Sequence, residues 1–245
     1  MKLFRILAVS SFVSLIAISA FAQTETTNEQ MPAKLETQFA LSALPPAMRD
    51  QATVYLLDPK KGYQLSRQGM SGVTCLVERT AWEQADFRND IYVPLCYDPE
   101  GSKSFLKVIM DVATLRIQGM SAVTLKAEIE NRYKNKTYKV PERAGLSYMV
   151  APVMRTWMMP DWQVHTMPMP HLMFYASNMK NEDIGALPNS SVLYPFVFKE
   201  GIAEQSYMIQ LTGEAEKAQI LADEKTLLGD LCAYRDVLCI PNMKH

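Results

Sequence analysis

The chain has 245 residues, with 25 Lys and Arg against 26 Asp and Glu, three His, and a net charge of −1 at pH 7. No basic run is longer than Lys60-Lys61, so the pattern carries no footprint of nucleic-acid binding or of an anionic membrane surface. No stretch after the first 22 residues offers 18 uncharged apolar residues in a row, so no later membrane span is expected.

Lys2 and Arg5 form a basic start, Ile6 to Ala20 is apolar apart from four serines, and Ala20-Phe21-Ala22 is an A-x-A cleavage signal. Residues 1–22 therefore read as a secretory signal peptide. No Cys follows the cleavage site, which gives no support to a lipid anchor. Its removal leaves 223 residues with 23 basic and 26 acidic side chains, enough for one domain with a sizeable core. Cys75, Cys96, Cys232 and Cys239 remain. An even count in an exported chain suggests two disulfides. Three connectivities are open, and proximity in sequence favours Cys75–Cys96 and Cys232–Cys239. The second pair requires any helix through Cys232 to stop before Cys239, because seven helical residues span about 10 Å and a disulfide needs Cα atoms within about 7 Å.

Residues 23–44 read as a polar, flexible leader, with a helix start at Leu35 to Leu44 cut by Pro45-Pro46. Residues 52–57, 62–67 and 73–77 read as three short antiparallel strands joined by turns. Pro94 demotes Ile91 to Cys96 to an edge strand or no strand. Leu106, Ile109, Met110, Ala113 and Ile117 mark a helix, and Ser121 can cap a second one. Gln68 to Thr74 recurs as Gln118 to Thr124 with six of seven residues matched. One copy leads into a strand pattern and the other into a helix pattern, so no repeat architecture follows.

The segment Ala144–Ala186 holds eight of the sixteen methionines, two of the three tryptophans and two of the three histidines. Gly145 to Val150 and Leu172 to Tyr175 read as strands. Prolines 152, 160, 168 and 170 between them predict a packed loop of about twenty residues, the kind of long connection that often carries function. Val192 to Phe198 and Tyr207 to Leu211 are further strands, Glu214 to Leu228 is one helix ended by Gly229, and the tail is a cysteine-bearing cap. The sum is α+β: one mainly antiparallel sheet with helices packed on one face, in a single domain over 45–245.

Three chemistries compete for the 144–186 segment. Thioether and imidazole groups suit Cu(I), and Met167, Met169 and His171 alternate as an extended chain would place them on one side, with His165 or Met173 able to join them. Gly145-x-Ser147 starts like a nucleophile elbow, with His171 and Asp161 or Asp183 as partners for a serine-type hydrolase, but Met149 stands where the second glycine belongs. Trp157, Trp162, Tyr175, Phe174 and Tyr148, with His171 and His165, can line a binding cleft. Paired carboxylates for glycoside hydrolysis have candidates in Glu78, Asp98, Glu142, Asp161 and Asp183. Zinc motifs are missing from the sequence. A binding or envelope-associated role is expected ahead of catalysis, with no resident cofactor other than a possible copper.

Gly69-Met70-Ser71-Gly72-Val73-Thr74-Cys75-Leu76-Val77-Glu78-Arg79 and Pro170-His171-Leu172-Met173-Phe174-Tyr175-Ala176 resemble segments of a group of exported bacterial proteins with no assigned activity. Ala52-Thr53-Val54 and Gly145-Leu146-Ser147-Tyr148-Met149 are similar to that group too, and together the likeness spans roughly 45–200. It implies a bacterial source, export to the periplasm or the medium, and one domain, and it supplies no catalytic residue.

Overall fold

A computed structural model describes residues 27–186 and 194–241. The expected signal peptide over 1–22, His245 and the start of the strand expected at Val192 lie outside the described residues. The fold is α+β around a large, mainly antiparallel sheet of eight strands. The strands are β1 (Thr53–Asp58), β2 (Gly62–Arg67), β3 (Thr74–Glu78), β4 (Val93–Tyr97), β5 (Leu146–Met149), β8 (His171–Tyr175), β9 (Phe196–Phe198) and β10 (Tyr207–Leu211). Their order is β2-β1-β3-β4-β5-β8-β10-β9. The remaining strands, β6 (Met154–Met158) and β7 (Gln163–Met167), form a separate hairpin.

β1 and β2 are joined at Asp58, whose carboxylate accepts from the Lys60 N–H at 2.8 Å. Gly62 follows at φ 83, a left-handed conformation that suits glycine. β3 then runs parallel to β1, not antiparallel as the strand pattern suggested. The cause is the link Gln68–Val73, which passes under the start of β1. There Met70 and Ser71 both donate to the Gln51 carbonyl at 3.0 Å, and a Cβ at Gly69 would overlap the backbone of Gln51 and Ala52. The echoed Gly119 sits instead in open space at φ 87, so the two copies do not share a turn.

β4 is an interior strand despite Pro94, which corrects the edge assignment. The Tyr92 N–H donates to Arg155 on the β5 side. N–H direction alternates along a strand, so Pro94 lacks its donor on that same side. The β4–β5 ladder reaches only Cys96 and Tyr97, and Pro94 falls in the gap between it and the Arg155 bridge. The expected loop 152–170 is likewise replaced by the β6–β7 hairpin. Its prolines sit at the flanks and in the turn, where the Met159–Pro160 peptide is cis, and none interrupts a strand.

The helices lie on both faces of the sheet, not on one. Helices α1 (Ala33–Ser42) and α6 (Lys225–Tyr234) pack with Val54, Cys75, Val77 and Cys96 in a first core. Helix α3 (Phe105–Ile117) packs with Leu76, Leu95 and Tyr97 in a second. Neighbouring strand residues point to opposite faces, so these cores are separated by the sheet. Helix α4 (Ala122–Lys134), capped by Ser121 as expected (3.2 Å to the Thr124 N–H), covers the outer side of α3 in a third cluster with Trp82. The presence of α1 overturns much of the flexible leader: Phe39 and Ala40 are fully buried. A short helix α2 (Pro99–Lys103) is capped by Asp98. The single helix expected from Glu214 is two, α5 (Glu214–Asp223) and α6, broken at Glu224, whose carboxylate pairs with Arg49 at 2.6 Å.

Both favoured disulfides are formed. Cys75 and Cys96 face each other across β3 and β4 with Cα atoms 4.0 Å apart. Cys232 and Cys239 are 4.5 Å apart because α6 ends at Tyr234, the condition the spacing imposed.

Candidate functional site

The β1–β3 ladder holds for two residue pairs, Thr53–Thr74 and Val54–Cys75. At the same place the β1–β2 register slips by one residue, between Val54 and Tyr55. Such a bulge adds local twist, and beyond it β1 and β3 part. Backbone groups freed by a split ladder must find other partners. The Leu57 N–H donates to the Glu36 carboxylate at 2.9 Å, and the Tyr63 hydroxyl donates to the Val77 carbonyl at 2.7 Å. Side chains from α1 and β2 thus fill the fork.

A cavity of about 360 Å³ opens at this fork. It lies at the carboxyl ends of the parallel pair β1 and β3, the position where open sheets containing parallel strands collect ligands. One wall is apolar, built from Ile109, Val112, Ala113 and Ile117 on one face of α3. The other is polar and includes Tyr63, Glu78, Arg79, Thr80 and Asn28. Asn28 Oδ1 is buried with no partner among the described residues. Arg79 is 1 % exposed, bonds the carbonyls of Ile91 and Asn89, and lies 3.9 Å over the Tyr92 ring. Arg116 reaches in from α3 and donates to Thr80 Oγ1 at 2.7 Å and to the carbonyls of Arg79 and Arg88. Burial, then the neighbouring Arg79, lowers its pKa to about 10, so it stays cationic at neutral pH.

Two carboxyls flank this arrangement with pKa values far above the usual range. Burial raises Glu78 to about 8, reinforced by Glu83 and opposed by Lys199. Burial raises Glu36 to about 7, offset in part by its bond from Leu57 and by Arg79. The Glu78 carboxyl has no hydrogen-bond or ion-pair partner among the described residues. Among the described residues no histidine or cysteine lines the cavity.

The residues singled out from the sequence lie elsewhere, and the structure divides them: His165 and Trp162 are exposed on the hairpin, while His171, Trp157, Tyr175, Met167 and Met169 face the second core. His165 is exposed on β7 and bonds Asp161 at 2.8 Å. Trp162 is half exposed at the hairpin turn, with φ 52. Trp157 is partly buried against the second core, its indole N–H without a partner among the described residues. The Tyr175 hydroxyl donates to Asp98 at 2.9 Å, its ring lies tilted against Phe105 with centroids 4.7 Å apart, and burial raises its pKa well above the usual phenol range. His171 is 2 % exposed, with Nδ1 2.7 Å from the Met169 carbonyl. Burial lowers its pKa, that bond opposing in part. Met167 ends β7 and Met169 lies in the link to β8, so the three do not form one extended run, although all sit against the second core.

The groups of a serine hydrolase do not assemble. Ser147 is fully buried and pairs across the sheet with Met173, not His171. The Nδ1–H that a triad gives to a carboxylate goes to Met169. Asp161 holds His165, and Asp183 accepts from the Lys180 N–H. Asp98 caps α2 and binds Leu146 N–H and Tyr175, which leaves it no role as half of a carboxylate pair. Of the glycosidase candidates Glu78 lines the fork cavity and Glu142 a different hollow of about 300 Å³, so the two do not share one site. No motif in the sequence points to Glu36, Tyr63 or Arg116. The one available signal was Glu36 itself, an acid three and four residues before buried Phe39 and Ala40 on the core stripe of a helix.

No protein-family model, curated protein or solved structure matches the chain.

Proposed function

We propose that the chain is an exported binding protein of the bacterial envelope, and that its ligand is a small molecule held in the fork cavity. The basic, apolar, A-x-A leader in the sequence supports export, and two formed disulfides fit an oxidising compartment. Among the described residues no helix is long and apolar enough to cross a membrane.

The observation that carries the binding reading is the fork itself. A cavity of a few hundred cubic ångströms with an apolar wall and a few convergent polar groups is the general form of a small-molecule site. Here the polar side offers a carboxyl and an amide oxygen that no described residue satisfies. Binding is put ahead of turnover because no imidazole or thiol lines the cavity among the described residues.

Thermal unfolding of the purified protein with panels of organic acids, amines and sugars tests this. A ligand at a hundred times its Kd stabilises by about 2.7 kcal/mol, a shift of several degrees. Ile117→Trp, which fills the cavity from a half-buried position, should abolish the shift without lowering the unliganded Tm appreciably. A ligand that shifts wild type and Ile117→Trp alike would place binding elsewhere.

A further inference from the structure

The half of the sheet under the hairpin carries a second chemistry that does not depend on the fork. His171 and Met173 of β8 alternate onto the face that bears the second core, and Met149 of β5 stands directly opposite His171 on that face. Directly opposed residues have Cβ atoms about 5 Å apart. Met154, Met167 and Met169, from the hairpin and its exit, pack against the same core. His171 therefore shares its face of the sheet with methionines from three segments of chain.

The imidazole is set in one tautomer. Its Nδ1 lies 2.7 Å from the Met169 carbonyl, an acceptor only, so Nδ1 carries the proton and Nε2 carries the lone pair. Nε2 has no hydrogen-bond partner among the described residues. A histidine anchored through Nδ1–H to a backbone carbonyl, with Nε2 left free, is the usual posture of a metal ligand. Among the described residues no group of three His, Cys, Asp or Glu is placed to hold an ion, so the donors here are sulfur and a single imidazole. Thioether with imidazole, without carboxylate, selects a soft monovalent ion over Zn²⁺, Mg²⁺ or Ca²⁺.

We propose that His171 Nε2 and the thioethers of Met149 and Met173 form a binding site for Cu(I), closed over by the methionines of the hairpin. Binding is simple coordination: no bond breaks and no electron moves, and the ion enters already reduced.

The test is a competition between the purified chain, both disulfides intact, and a colorimetric Cu(I) chelator, with ascorbate as the reductant because it spares disulfides. Wild type should withdraw one Cu(I) per chain. The double variant Met149→Leu, Met173→Leu conserves core volume and should stay folded. Its affinity should fall at least tenfold, and His171→Gln should show a comparable loss. His165→Ala should bind as wild type. X-ray absorption of the loaded protein should show both sulfur and imidazole nitrogen around copper. Failure of wild type to compete overturns the site. So does wild-type affinity in the folded double variant, or loss of binding in His165→Ala.

Discussion

Glu36 illustrates how one side chain sets the properties of the fork. It is 1 % exposed, yet its carboxylate is the acceptor that lets Leu57 leave the ladder. Its folded pKa of about 7 lies above the ordinary value of 4.5. An acid raised in this way favours the native state fully below pH 4.5, and the advantage is lost as pH climbs through 7. Glu36→Gln keeps an acceptor for the Leu57 N–H and removes the ionisation. The variant should match wild type in urea unfolding at pH 4.5 and exceed it by roughly 1–3 kcal/mol at pH 8, the size expected for a shift of this order. Equal stability at both pH values would show that Glu36 ionises freely in the native state.

Among the elements, β3 and β4 are tied most firmly, because the Cys75–Cys96 bridge lies across their ladder beside the point where β1 departs. Replacing both cysteines with Ala should lower stability by about 3 kcal/mol in the loop-entropy account, read as a lower denaturant midpoint. That bridge, β1, β2, α3 and the Ser121 cap were legible because each rests on local pattern or sequence proximity. The hairpin β6–β7 is hidden in the sequence because four prolines argue against strands unless they fall at turns and flanks, as they do here. β4 was demoted because only the finished sheet shows which side of Pro94 lacks a partner strand. The helix at α1 is legible from Leu35 onward, but its burial is not, since that depends on α6, far along the chain. The fork was beyond reach of any local pattern: it exists because a bulge on one side of β1 and a two-pair ladder on the other coincide. The segment rich in Met, Trp and His was visible at once, but its histidines belong to different surroundings, one wet and one dry.

Taken together, the titrating groups predict an acid-leaning stability profile. Glu36 and Glu78, raised to about 7 and about 8, each withdraw support as pH rises from 4.5 toward those values. His171, depressed by burial, acts in the opposite sense below pH 6.5. Asp90, drawn down to about 2 because bonds and charge from Arg88 and Arg155 outweigh its burial, adds support above pH 3.8 that disappears as pH falls through 2. One proton is worth about 1.4 kcal/mol per pH unit, and two glutamates outweigh one histidine. Tm should therefore peak near pH 4.5 and decline steadily to pH 8, and a flat or rising profile over that window would contradict the raised carboxyls. The first core has its own consequence for biogenesis. α1 and α6 share it, with the whole sheet coming between them in the sequence. A polypeptide threaded through a translocation pore amino end first would hold the oily stripe of α1 bare until α6 had followed it out. On the proposed route of export, such a chain would not mature piecemeal as it emerges, and a holdase on the far side of the membrane would find α1 bare.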